Sequence, residues 1–324
     1  MNARFNRVLG TGGIGSGVLW ALDSDRILER NESRPAKMSK VRDYCKQHII
    51  LHYLARVMAD DAQVYAIGKV GDDDNGRMLY NEMQNAGIHL DYVEAVKHGI
   101  TMYSMCIQYP DFQVCNVTTS NSVCNEVDSE YVKGCLGHVS VDERTAIIAV
   151  PEVPLSARMT LLAYGNKHRA FCTASVLYDE VDDFLKQDGL SLCDLLVINE
   201  IEANAFLKKE IEGEALAYEF ARMPGMHGHR VAITCGEQGS FTIEDQVVAH
   251  TPARKAEVAS TAGAGDAFTA GLVCGLHFGL SFHSGAFSAA DFATAFAAKS
   301  VECIHTIAPT IDRDFARFLL NNGF

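Results

Sequence analysis

The sequence has little of what several functional classes require. No two of its ten cysteines are spaced C-x-x-C, so the commonest zinc and thiol-redox readings fail. Cys106, Cys115 and Cys124 recur at even spacing, but nothing else there resembles a metal site. Positive charge is scarce: 28 Lys and Arg stand against 41 Asp and Glu, a net charge of −13. Binding a phosphate backbone needs a basic stripe, so nucleic acid is not an expected partner; a nucleotide needs only a local site. No apolar run reaches the length of a membrane span, and the opening MNARFNRVLG lacks the apolar core of a signal peptide. The expectation is a cytoplasmic protein with reduced, mostly buried thiols and no membrane partner. Internal repeats and low-complexity segments are missing as well.

What is present is a chain of 324 residues, 48% of them hydrophobic, long enough for a sizeable core. Short apolar runs alternate with helical patterns. Strands are expected at 63–70, 145–150, 169–174, 194–199 and 230–234. Helices are expected at 41–59, 77–86, 157–167, 177–186, 200–208, 214–222, 286–304 and 312–321. This alternation predicts an α/β fold: a mainly parallel central sheet with helices on both faces. Hairpins are expected at 101–119, turning through Pro110, Asp111 and Phe112, and at 240–250. The first of these and the charged excursion 23–40 break the alternation. They predict a small β lid, with segments within 14–40 and 97–122, on one α/β domain spanning 1–324. Ligands in such sheets bind beyond the carboxyl ends of the strands. The turns at 71–76, 199–202, 236–239 and 263–266 all follow strands and are expected to gather there.

The stretch 258–279, VASTAGAGDAFTAGLVCGLHFG, carries the most chemistry. Small residues from Ser260 to Gly265 open directly into a buried helix. A helix start offers free backbone N–H groups and a positive dipole end, and both favour a phosphate. Asp266 does not fit an anion site, because a carboxylate repels a bound phosphate. An acid there makes sense as the acceptor of a proton from the group that attacks the phosphate. An ordinary capped helix is the alternative. Gly10, Gly12 and Gly15 match G-x-G-x-x-G, a dinucleotide fingerprint that needs a helix behind it and an acid about 20 residues on; Glu29 and Glu32 are loose candidates. Tight backbone packing is the competing reading of these glycines.

The turn from Ser260 to Asp266 resembles the D-T-x-G-A-G-D signature of the PfkB, or ribokinase-like, carbohydrate kinases. Gly68-Lys69-Val70-Gly71-Asp72-Asp73-Asp74-Asn75-Gly76 resembles that family's early G-x-x-G-x-D-x-x-G turn. Asn199-Glu200-Ile201-Glu202 matches its N-x-x-E motif, and Thr234-Cys235-Gly236-Glu237-Gln238-Gly239 its T-x-G-x-x-G loop. The order is also the family's. The resemblance implies a three-layer ribokinase-like fold and an ATP-dependent phosphotransferase acting on a hydroxyl of a sugar or sugar derivative. It implies Asp266 as the catalytic base and the amides of Ala262, Gly263, Ala264 and Gly265 as the anion hole. Asn199 and Glu202 would organise Mg²⁺ and the phosphates, Glu202 partly through water, and a capping pair is the plainer reading of both. Thr234, Gly236, Gly239 and Thr261 would border ATP, while Gly12, Gly13, Asp72 and Asn75 would border the substrate. A nucleoside kinase and a catalytically impaired ligand-binding relative are the alternatives.

The sequence departs from the signature at Ser260, where the family has Asp, and this puts activation by a monovalent cation in doubt. The first strand also lacks the family's substrate-binding Asp, and the expected helix 41–59 lacks its Asn. Polar residues 116–121 beside the hairpin, and Lys37, Arg42 and Lys69, are read as surface groups with a lesser prospect of ligand contact. Relatives often pair their lid sheets, so a homodimer through the lid is an expectation. His227-Gly228-His229 is read as a loop, and Trp20 as packing.

Overall fold

The computed structural model describes residues 3–111, 114–226 and 228–322. Runs such as TAIIA and LLVIN, apolar along their whole length, suit strands covered on both faces. They form a nine-stranded sheet in the order β13-β12-β11-β10-β9-β8-β1-β4-β5. Its strands are β1 (Arg7–Thr11), β4 (Gln63–Gly71), β5 (Ile88–Val96), β8 (Thr145–Ala149), β9 (Phe171–Ala174), β10 (Leu195–Asn199), β11 (Arg230–Thr234), β12 (Ser240–Glu244) and β13 (Val247–Thr251). All neighbours are parallel except the β11–β12 and β12–β13 pairs, of which β12–β13 is the expected second hairpin.

Successive side chains of a strand enter opposite layers. Val8 joins one apolar cluster and Leu9 the other; Ile148 and Ile147 divide likewise. One layer holds α1 (Lys46–Met58), α2 (Asp74–Asn85), α8 (Ala264–His277), α9 (Ala289–Val301) and α10 (Arg313–Asn322). The other holds α3 (Ser129–Leu136), α4 (Leu155–Lys167), α5 (Val181–Lys186), α6 (Glu200–Leu207) and α7 (Gly213–Ala221). Gly271 and Gly275 let α8 meet α9 closely: a Cβ on either would stand within 2.8 Å of the Cα of Ala293 or Ala289.

A second sheet, in the order β3-β2-β6-β7, is formed by β2 (Gly15–Ala21), β3 (Lys37–Tyr44), β6 (Met102–Gln108) and β7 (Val114–Thr118). The expected helix 41–59 is therefore corrected. Residues 41–44 finish a lid strand, and α1 begins only at Lys46. Ladder bonds to β2 claim that segment, and Cys45, which precedes α1, makes no side-chain cap. The dinucleotide reading also fails, because β2 rather than a helix follows the glycines of residues 10–15. The strand β5 and the helix α3 were not anticipated. Phe112 of the first hairpin's turn and His227 of the paired histidines lie outside the described residues.

Candidate active site

Parallel register brings the expected turns to one edge. Thr11 lies beside Ala149, and Asn199 beside Thr234, all at the carboxyl ends of their strands. The start of α8 faces this edge. Gly263 caps the helix with φ +79°, a left-handed backbone, and a Cβ there would sit 2.6 Å from the Thr306 carbonyl oxygen. Both facts require glycine. The Ser260 hydroxyl accepts from the Ala262 amide at 3.3 Å, so Ser260 closes the turn itself. The Ala264 amide reaches the Thr261 carbonyl, also at 3.3 Å. Among the described residues, the amides of Gly263, Gly265 and Asp266 have no acceptor. The open N–H groups are thus only partly the four inferred from sequence: Ala262 and Ala264 are engaged by long bonds.

Asp266 stands in the first turn of α8, its side chain 13% exposed. Lys46 Nζ lies 3.5 Å from Asp266 Oδ1. The backbone amide of Lys46, at the start of α1, donates to Glu152 Oε2 at 3.1 Å. The charge of Asp266 holds the Lys46 ammonium above its ordinary value, with burial opposing. Burial pushes the Glu152 carboxyl up to about 7, against the pull of Lys46. Burial likewise raises Glu202, opposed first by the Asn199 amide and then by Lys46. Lys46 therefore interacts with three carboxylates at this edge.

Glu152 has φ +77°, a strained conformation for a side-chain-bearing residue. Gly12 and Gly13 make room for it. A Cβ on Gly13 would stand 2.5 Å from Glu152 Cβ, and one on Gly12 2.6 Å from Val150 Cγ2. The Gly13 amide donates to the Pro151 carbonyl. The two glycines thus clamp the turn that carries Glu152 against α1.

Asn199 and Glu202 form a reciprocal capping box, each side chain accepting the other's amide at 2.9 Å. Glu202 Oε1 keeps no partner among the described residues, so capping leaves one oxygen for a metal or its water. That donor suits Mg²⁺, which takes few protein ligands and keeps several waters. Among the described residues no three His, Cys, Asp or Glu side chains form a ready-made metal cluster. Thr234 bonds back to Ile198, and Gly236 and Gly239 have φ +52° and +94° in the turn between β11 and β12. Asp72 pairs with Arg77 on the exposed surface, and Asp73 caps α2. Asn75 accepts from the Ser16 hydroxyl at 2.7 Å, tying α2 to the lid.

Lys46 and Glu152 were missed in the sequence. The signals were slight: a lysine on a helix N-terminus, where the dipole disfavours it, and an acid between Pro151 and Pro154 just after a buried strand.

A ribokinase-like α/β fold with a phosphate-type helix start and a neighbouring acid defines a class of small-molecule kinases. The family model described as pfkB family carbohydrate kinase matches residues 50–313, and the chain belongs to that family. An ATP-dependent ribose-1-phosphate kinase of Halopiger xanaduensis is 27% identical over 64% of this chain and 65% of its own, so the match spans just under two thirds of that relative. Ribokinase of Bacillus subtilis is 25% identical over 66% of this chain and 68% of its own. Among solved structures, adenosine kinase of Sinorhizobium meliloti superposes with TM-score 0.77 at 18% identity, covering 98% of this chain and 99% of its own. That similarity carries the fold.

Proposed function

We propose that this protein transfers the γ-phosphoryl group of ATP to a hydroxyl of a sugar or sugar derivative. The observation that carries the reading is Asp266 in the first turn of α8, beside open amides and 3.5 Å from Lys46. In this reading the acceptor oxygen bonds to phosphorus as ADP leaves, and its proton passes to an Asp266 carboxylate oxygen. The transition state is loose, so alignment and charge stabilisation supply most of the rate. The amides of Gly263 and Gly265, with those of Ala262 and Ala264 once their long bonds are released, meet charge on the transferring group. Lys46 offsets repulsion among Asp266, Glu152 and Glu202, so carboxylates can gather beside a polyphosphate. Bound Mg²⁺ would supply charge neutralisation of the phosphates; Glu202 and Asn199 are its candidate holders. Thr234, Gly236, Gly239 and Thr261 border the nucleotide in this reading, and Gly12, Gly13, Asp72 and Asn75 the substrate end.

A nucleoside acceptor is the second reading, favoured by the likeness to adenosine kinase. The lid's outer face exposes Met38, Tyr103, Met105 and Val117, which supports a homodimer through the lid. All ten cysteines are free and most are buried, which supports a reducing, cytoplasmic setting. No described helix is long and apolar enough to cross a membrane. The test is ADP release from ATP across sugars, sugar phosphates and nucleosides, with Asp266→Asn as control. Turnover by wild type that Asp266→Asn loses supports the reading, and equal turnover in the variant refutes it.

A further inference from the structure

The inner face of the lid is polar. Asp43 on β3 lies opposite Gly17 on β2, Gly17 opposite Ser104 on β6, and Ser104 opposite Thr118 on β7. Directly paired residues share a face, so these side chains form one row. Ser104 Oγ and Thr118 Oγ1 are 2.8 Å apart, and Cys106 Sγ donates to Asp43 Oδ2 at 3.2 Å. The strand carrying Asp43 leads straight into Lys46, and the Asp43 carboxyl interacts electrostatically with both Asp266 and Lys46. Asp43 therefore belongs to the roof of the cleft whose floor holds the proposed base.

Asp43 is only partly exposed, yet among the described residues no cation lies within ion-pair distance of it. Lys46 is engaged by Asp266, Lys37 by Asp23 and Lys69 by Glu94. The Tyr44 backbone amide also donates to this carboxylate and a thiol is a weak donor, so part of its hydrogen-bonding capacity is unspent. Shielding a carboxylate from water with few donors is costly, and a ligand that brings more recovers the cost. An acceptor carrying its own phosphate would instead set a dianion against Asp43, Glu152 and Asp266, with Lys46 already paired.

We infer that Asp43 selects the acceptor substrate: it takes a hydroxyl or ammonium donor from a polyol that carries no phosphate or carboxylate of its own. This rests on the kinase reading for the word acceptor, but the binding preference can be measured without transfer. Calorimetry on the full chain would compare ribose, fructose, glucose, glucosamine, ribose 5-phosphate, fructose 6-phosphate and glucose 6-phosphate, with no ATP present. Unphosphorylated members are expected to bind at least about tenfold tighter than their phosphates, and glucosamine against glucose separates an ammonium from a hydroxyl. Asp43→Asn is expected to raise KM for the preferred acceptor about tenfold, with kcat and the KM for ATP little changed, and to narrow the gap to the phosphates. A merely structural Asp43 would not move KM alone.

Tighter binding of a phosphate than of its parent overturns the inference. So does failure of every unphosphorylated member to bind, or an unchanged acceptor KM in a folded Asp43→Asn protein. Selective binding with no ADP release on adding ATP refutes the kinase reading and leaves the selection by Asp43 standing.

Discussion

Lys46 contacts two carboxylates through different groups: its ammonium lies 3.5 Å from Asp266, and its backbone amide donates to Glu152 at 3.1 Å. One residue thus fixes where the proposed base and the strained Glu152 turn stand relative to each other. Lys46→Met keeps the amide and removes the charge. The Glu152 carboxyl, already raised to about 7, should rise further because Lys46 opposes that shift. We expect kcat to fall about hundredfold. We also expect any acid limb of the pH–rate profile that reports Glu152 to move to higher pH. An unchanged profile would remove Lys46 from the charge balance.

Gly263 is fixed by φ +79° and by the Thr306 carbonyl 2.6 Å from where a Cβ would stand. Gly263→Ala should destabilise the fold by about 1–2 kcal/mol from backbone conformation alone, and more from the clash. In protein that still folds, the displaced α8 amides should lower kcat by about hundredfold. Thermal melting and single-turnover phosphoryl transfer check the two effects separately.

Glu202 is both cap and candidate metal holder. Glutamine at this position can still accept the Asn199 amide, so Glu202→Gln should change stability by no more than about 0.5 kcal/mol. The Mg²⁺ concentration for half-maximal activity should rise about tenfold. A Mg²⁺ titration that superposes on wild type would reduce Glu202 to its cap.

Two histidines on α1 contribute to the acid response. Burial lowers His48 to about 3 and His52 to about 4. Below pH 6.5 the unfolded chain takes up protons that these rings refuse, so stability should fall as pH drops from 6.5 toward 4. The slope is about 1.4 kcal/mol per pH unit for each ring. Glu152 acts in the opposite sense: its raised value costs stability as pH climbs from 4.5 through 7. Urea unfolding of His48→Gln should show a shallower acid slope. Glu152→Gln should gain stability relative to wild type only toward neutral pH. Parallel pH curves for wild type and His48→Gln would contradict the burial of that ring.

Much of the architecture was legible because its signals are local. Buried strands such as Leu195–Asn199 are continuous apolar runs, and a glycine turn before Asp266 marks a helix start whatever surrounds it. Boundaries were lost where tertiary pairing overrode pattern. Residues 41–44 read as helix until β2 supplied ladder bonds, and β5 alternates too weakly to stand out beside an exposed edge.

The sequence by itself determined the alternation of strands and helices, the phosphate-type turn and the acid behind it, since each depends on residues within a few positions. Tertiary structure alone decided which groups stand around that acid. Lys46 is 220 residues from Asp266, and Glu152 is 106 from Lys46. Such contacts have no local period to betray them. They exist because parallel pairing stacks the strand ends on one edge, where electrostatics between distant residues sets the chemistry.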